Sequence, residues 1–191
     1  MKKGRLEAFS DGVMAIIITI MVLELKPPHQ SSLEGIFALW PKFISYVLSF
    51  IYIAIYWNNH HHMFHATRII SGKVLWLNAH LLFWLSLIPF ATAWMGENNF
   101  EKIPTALYGS ILFFCAVSYF LLSTALTKLH GHDSDFSRAI KGDFKGRISL
   151  VIYLLGIGLT FITPMIGFIM YVTVAVIWFI PDKRFESFTD D

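Results

Sequence analysis

The chain has 191 residues, of which 55% are apolar and only 15% charged, with a mean hydropathy of +0.59 and a net charge of +2. Soluble domains carry about 25% charged residues, so there is too little charge here to coat a soluble globule. The balance also excludes a nucleic-acid partner, since no basic tract is long enough to follow a phosphate backbone. The reading is an all-α integral membrane protein, one domain over residues 1–191, embedded in a lipid bilayer.

Six apolar runs follow one another. The first, 6–25, begins within the basic N-terminal stretch "MKKGRLEAF" and has no small-residue cleavage site, so it reads as a retained helix rather than a signal peptide. The second, 38–59, has Pro41 and Lys42 near its start and runs at its other end into "WNNHHHMFH" (57–65). The third covers 74–95 and is read as one helix. The fourth covers 103–127 and holds Cys115, which as the only cysteine cannot form an intrachain disulfide. The fifth and sixth, 147–163 and 166–181, form a tight pair around "FITPMIG", where Thr163, Pro164 and Gly167 mark the turn. The polar loop 130–146 is too small to be a separate domain, and no internal repeat is evident.

The charges between runs set a direction. Lys2, Lys3, Arg5, Arg68, Lys73, Lys128, Arg138, Lys141, Lys145, Arg147, Lys183 and Arg184 fall on one side, and Lys26, Lys42 and Lys102 on the other. Both termini are therefore expected in the cytoplasm, with the chain a multi-pass protein of the cell membrane. Trp40, Trp57, Trp76, Trp94 and Trp178 lie near span ends, where an interfacial belt expects them. Trp84 lies mid-span and reads as packing.

Polar groups inside such runs are costly and need partners. Asp11 sits in the first turns of span one. His60 or His61 at the inner end of span two, and Asn78 in the first turns of span three, fall near the same depth. Two readings stand: Ser10 and Asp11 cap the start of span one, or Asp11 joins the imidazole and amide groups in a buried network. Further along, Gly12, Ile16, Thr19 and Leu23 form one helical stripe with Ile20 beside it. Periodicity does not separate a helix-packing seam from a pore wall.

Other chemistries are weaker. His61 and His65, or His62 and His65, have two-ligand spacing on a helix, but no carboxylate or cysteine completes a set, so no metal is assigned and no cofactor is expected. Ser10, Asp11 and a distant histidine match a hydrolase triad in composition only, and no nucleophile motif accompanies them, so the chain is not read as an enzyme. A proton-coupled secondary transporter using Asp11 and the histidines is the main alternative to a channel.

The stretch "RLEAFSDGVMAIIITIMVLEL" strongly resembles the first helix of the transmembrane protein 175 family of potassium channels. Arg5, Phe9, Ser10, Asp11 and Gly12 carry the match. Trp57, His60, His61 and Phe64 look like the family's W-x-x-H-H-x-x-F, Asn78, Pro89 and Phe90 like its third helix, and "ALYG" (106–109) fits the fourth. The resemblance covers roughly 5–125 and is weak beyond. His62 and His80 stand outside it, and His80 is a further candidate for the network. The resemblance implies a six-helix subunit in a homotetramer of the prokaryotic kind. Its first helices surround a pore for potassium and other monovalent cations, with weak preference for potassium over sodium and no TVGYG filter. The pore residues it implies are Ile16, Thr19, Ile20 and Leu23, with Ile16 and Leu23 as hydrophobic constrictions. Arg5, Ser10, Asp11, His60, His61 and Asn78 become a polar network that sets the rotation of the first helix.

Overall fold

A computed structural model gives the fold and describes residues 3–67, 69–130 and 144–179. Helices account for most of these residues, and no strand occurs among them. They are α1 (Lys3–Leu23), α2 (Leu33–Phe37), α3 (Trp40–His65), α4 (Gly72–Ser86), α5 (Ile88–Glu97), α6 (Lys102–His130), α7 (Phe144–Thr160) and α8 (Pro164–Phe179). The basic residues Lys2, Arg68, Arg138, Lys141, Lys183 and Arg184, the body of the 130–146 loop and the end of the sixth run lie outside the described residues.

By length and composition, three helical stretches are sufficient to cross a membrane: Lys3–Leu23, Gly72–Glu97 and Lys102–His130; Pro164–Phe179 is a shorter apolar helix. α3 is long, but its "NNHHH" end is polar, and α7 has 17 residues.

The third run is two helices, not one. α4 ends at Ser86 and α5 begins at Ile88, with Leu87 between them and Pro89 in the first turn of α5. Proline has no N–H to give to the carbonyl of Leu85, and its ring crowds that carbonyl. The chain tightens locally, with the Leu87 N–H donating to the Trp84 carbonyl at 3.2 Å. Gly167 differs from expectation too. It lies inside α8 rather than in the turn, where a Cβ would meet the Thr160 side chain and, at 2.9 Å, the Gly156 carbonyl. It is a point of close helix approach. α2 is a short extra turn, started by Ser32, whose Oγ accepts the Gly35 N–H at 3.2 Å.

α1 packs on α3, α4 and α5, while α6 is the hub for α4, α5, α7 and α8. Behind α1 sits a core rich in tyrosine. Tyr52, Tyr108, Tyr153 and Tyr171 are fully buried, and their hydroxyls need partners. The Tyr52 Oη donates to the Tyr171 carbonyl at 2.6 Å, and Ser49 Oγ lies 2.7 Å from Thr92 Oγ1 and 2.9 Å from Tyr108 Oη. Gly109 and Gly156 leave room for the Tyr171 ring. Gly109→Ala is therefore expected to lower stability by about 1–3 kcal/mol through overpacking, measured as thermal unfolding in detergent. A change within about 0.5 kcal/mol would mean that Tyr171 does not seat α8 on α6 in this way.

Candidate functional site

One face of α1 is locked to the rest of the subunit. Leu6, Ser10, Met14, Ile17 and Met21 recur every three or four residues, and all are buried. Four of the five are apolar and add packing. Ser10 adds direction.

Ser10, Asn78 and His60 form a buried chain of hydrogen bonds across three helices. The Asn78 Nδ2 donates to Ser10 Oγ at 2.9 Å, and the Ser10 hydroxyl donates to the Leu6 carbonyl at 2.9 Å. The Asn78 Oδ1 lies 2.8 Å from His60 Nε2. An amide oxygen only accepts, so Nε2 carries the proton in this contact. The His60 ring packs on Phe64, with centroids 4.5 Å apart. Relative exposures are 0% for Ser10 and 1% for both His60 and Asn78, so each bond is made away from water, where an unmade one is expensive.

The other polar residues singled out in the sequence lie outside this chain. Asp11 is exposed and accepts from Trp57 Nε1 at 3.0 Å. The reason is angular: one residue past Ser10 is about 100° further round the helix, which turns Asp11 from α4 toward the flank of α3. His61 is exposed, stacks on Trp57 and lies tilted against His65, with centroids 6.2 and 6.1 Å away. Arg5 is exposed and makes no hydrogen bond or ion pair among the described residues. His80 is not part of the chain either. Two positions from Asn78, it faces α6 instead, with Nδ1 2.9 Å from Ser118 Oγ and Nε2 accepting from Trp84 Nε1 at 3.1 Å. Trp84 itself stacks on Phe114 at 4.4 Å. Among the described residues no three potential metal ligands come together.

The opposite face of α1 is open in the subunit. Ile16 is 60% exposed, Ile20 44% and Leu23 70%, and Gly12 and Thr19 are also open. Thr19 donates its hydroxyl proton to the Ala15 carbonyl at 2.9 Å. Its oxygen therefore presents acceptor lone pairs outward. The result is an apolar stripe with one acceptor in its middle, on a helix whose rotation is pinned from behind.

Comparison with known proteins gives this geometry a family. The family profile described as Endosomal/lysosomal potassium channel TMEM175 matches residues 5–89. Over 187 residues, 98% of this chain and 97% of its relative, the chain is 51% identical to a protein named as a potassium channel in Chryseobacterium sp. strain P1-3. The chain belongs to the TMEM175 family. It is a multi-pass membrane protein of the family's prokaryotic kind. It is also 31% identical over 176 residues, 85% of this chain and 84% of the other, to a protein named as a potassium channel in Streptomyces collinus. The fold is similar to the crystal structure of a lysosomal potassium-selective channel TMEM175 homolog from Chamaesiphon minutus. There the TM-score is 0.79 at 28% identity, covering 92% of this chain and 95% of that one.

Asn78→Ala would leave His60 and Ser10 buried without their partner, so a loss of about 2–4 kcal/mol is expected. Asp11→Asn keeps an acceptor for Trp57 at an exposed position and is expected to change stability by less than about 0.5 kcal/mol. Thermal unfolding of the two purified variants in one detergent checks the contrast; equal losses would show that the buried chain does not anchor α1.

Proposed function

We propose that the chain is a potassium-permeable cation channel of the cell membrane, in which four copies surround a pore lined by α1. The single observation that carries this reading is the unpartnered stripe of Ile16, Thr19, Ile20 and Leu23, turned out of the subunit by an anchor on the opposite face. Relatives named as potassium channels support the permeant ion. Six membrane spans per subunit and cytoplasmic termini belong to the same proposal, supported by the charge alternation along the sequence.

Four copies around an axis convert each side chain of the stripe into a ring. Rings of Ile16 and Leu23 form apolar constrictions, which close a narrow passage by dewetting. Between them, four Thr19 oxygens offer acceptors to a cation that has shed part of its water. A threonine hydroxyl whose proton is already committed to backbone is a competent but incomplete substitute for a carbonyl cage. The expected preference for potassium over sodium is therefore modest. No described helix carries a ladder of arginines, so steep voltage dependence is not expected.

Purified protein in planar bilayers under opposed potassium and sodium gradients should give unitary currents reversing toward the potassium potential. Ile16→Asn and Leu23→Asn should each raise open probability or leak and shift reversal toward zero, because a wetted ring no longer excludes partly hydrated ions. Unchanged conductance and selectivity in both variants would remove α1 as the pore wall.

A further inference from the structure

The open face of α1 is wider than the proposed pore stripe. Ala8, Ala15 and Val22 are exposed as well, Val22 at 45%. At about 100° per residue these three, spaced by seven, form a second stripe that lies beside Asp11 on the flank of α3. It is shallow, and it runs into Gly12, where an added Cβ would meet nothing within 4 Å. A glycine inside a helix costs about 1 kcal/mol relative to alanine, and nothing within the subunit asks for its small size.

On the opposite flank stands a ridge. Trp76, Phe83 and Phe90 project from α4 and α5 with exposures of 80%, 56% and 62%, also at intervals of seven. Groove and ridge keep one register. Asn78 bonds Ser10, and further along Met21 shares a crevice with Pro89. α1 and the α4–α5 stretch therefore run in the same direction, with Ser10 level with Asn78. Counted from that bond at equal rise along both helices, Ala8 falls level with Trp76 and Ala15 with Phe83, and Val22 falls nearest Phe90 beyond the break at Pro89.

We infer that the ridge of each copy seats in the groove of the next, so that Trp76, Phe83 and Phe90 pack over Ala8, Ala15 and Val22 of a second copy of this chain. This rests on the tetrameric reading and specifies its interface. Rotation about an axis parallel to α1 preserves depth, so the level matching within one subunit becomes level matching between neighbours. Ridge and groove are different surfaces on different flanks, which makes the contact head-to-tail and lets it close as a ring rather than as a two-fold pair. Small residues facing large ones is how membrane helices pack closely where burial from water supplies no drive. The same contact leaves Ile16, Thr19, Ile20 and Leu23 clear of the neighbour and facing the axis.

The test is cysteine cross-linking of the full chain in membranes, where the single native cysteine, Cys115, is fully buried. The A15C/F83C double variant, oxidised under mild conditions, should run as a ladder of two, three and four chains. The level-mismatched A8C/F83C variant should stay near the single-variant background, at least tenfold lower in cross-linked product. Particle mass in detergent is measured for each variant before oxidation. Tetramers that yield only single chains or only pairs from A15C/F83C would overturn the interface while leaving the tetramer standing, and would assign the ridge to lipid. Monomeric particles would overturn both.

Discussion

A polar contact in an apolar bundle fixes what apolar packing leaves loose. Leu6, Met14, Ile17 and Met21 would be nearly as content a few tens of degrees away, because flexible methionines and aliphatic chains repack at little cost. The Ser10–Asn78–His60 chain tolerates no such rotation. Its bonds of 2.8 and 2.9 Å join α1, α3 and α4 at one depth, and a turn of α1 would break them in a medium that offers no replacement. Everything proposed for the outward face inherits its direction from this anchor.

The break at Pro89 belongs to the same logic. α4 carries Asn78 to the anchor, and α5 then follows α3, to which it is closely apposed: a Cβ on Gly96 would come within 2.8 Å of the Lys42 Cα. Lys42 and Glu97 close this end with an ion pair at 3.0 Å. A continuous straight helix would have to choose between these two partners. The connecting turn is held by packing as well. Phe100 has a φ of 60°, an uncommon backbone for a non-glycine residue, and is wedged against Phe168 with centroids 4.7 Å apart.

Much of this was legible in the sequence because long apolar runs leave the backbone no option but helix. Depth was legible too, since counting residues from a span end places Asp11, His60 or His61, and Asn78 on one level. Rotation was not. Ser10 and Asp11 share a depth and differ by about 100°, and only the positions of α3 and α4 decide which of them looks inward. The same limit applies to His60 against His61, and to His80, which shares the depth of Asn78 but faces Ser118. The proline signal at 89 was visible in the sequence, but the third run is long enough to be read as one helix, and kinks depend on whether neighbours hold the two halves apart. The tyrosine core and the close approach at Gly167 were invisible, because they join segments far apart in the chain.

In the proposed channel the anchor turns one defined stripe of α1 toward the conduction path. Substituted-cysteine accessibility along α1 tests it most directly. Single cysteines are placed in turn from Met14 to Leu23, currents are recorded in bilayers, and a water-soluble thiol reagent is added. Rapid current block is expected at positions 16, 19, 20 and 23 and none at 14, 17 and 21. Block at the buried positions, or reactivity with no helical period, would contradict it.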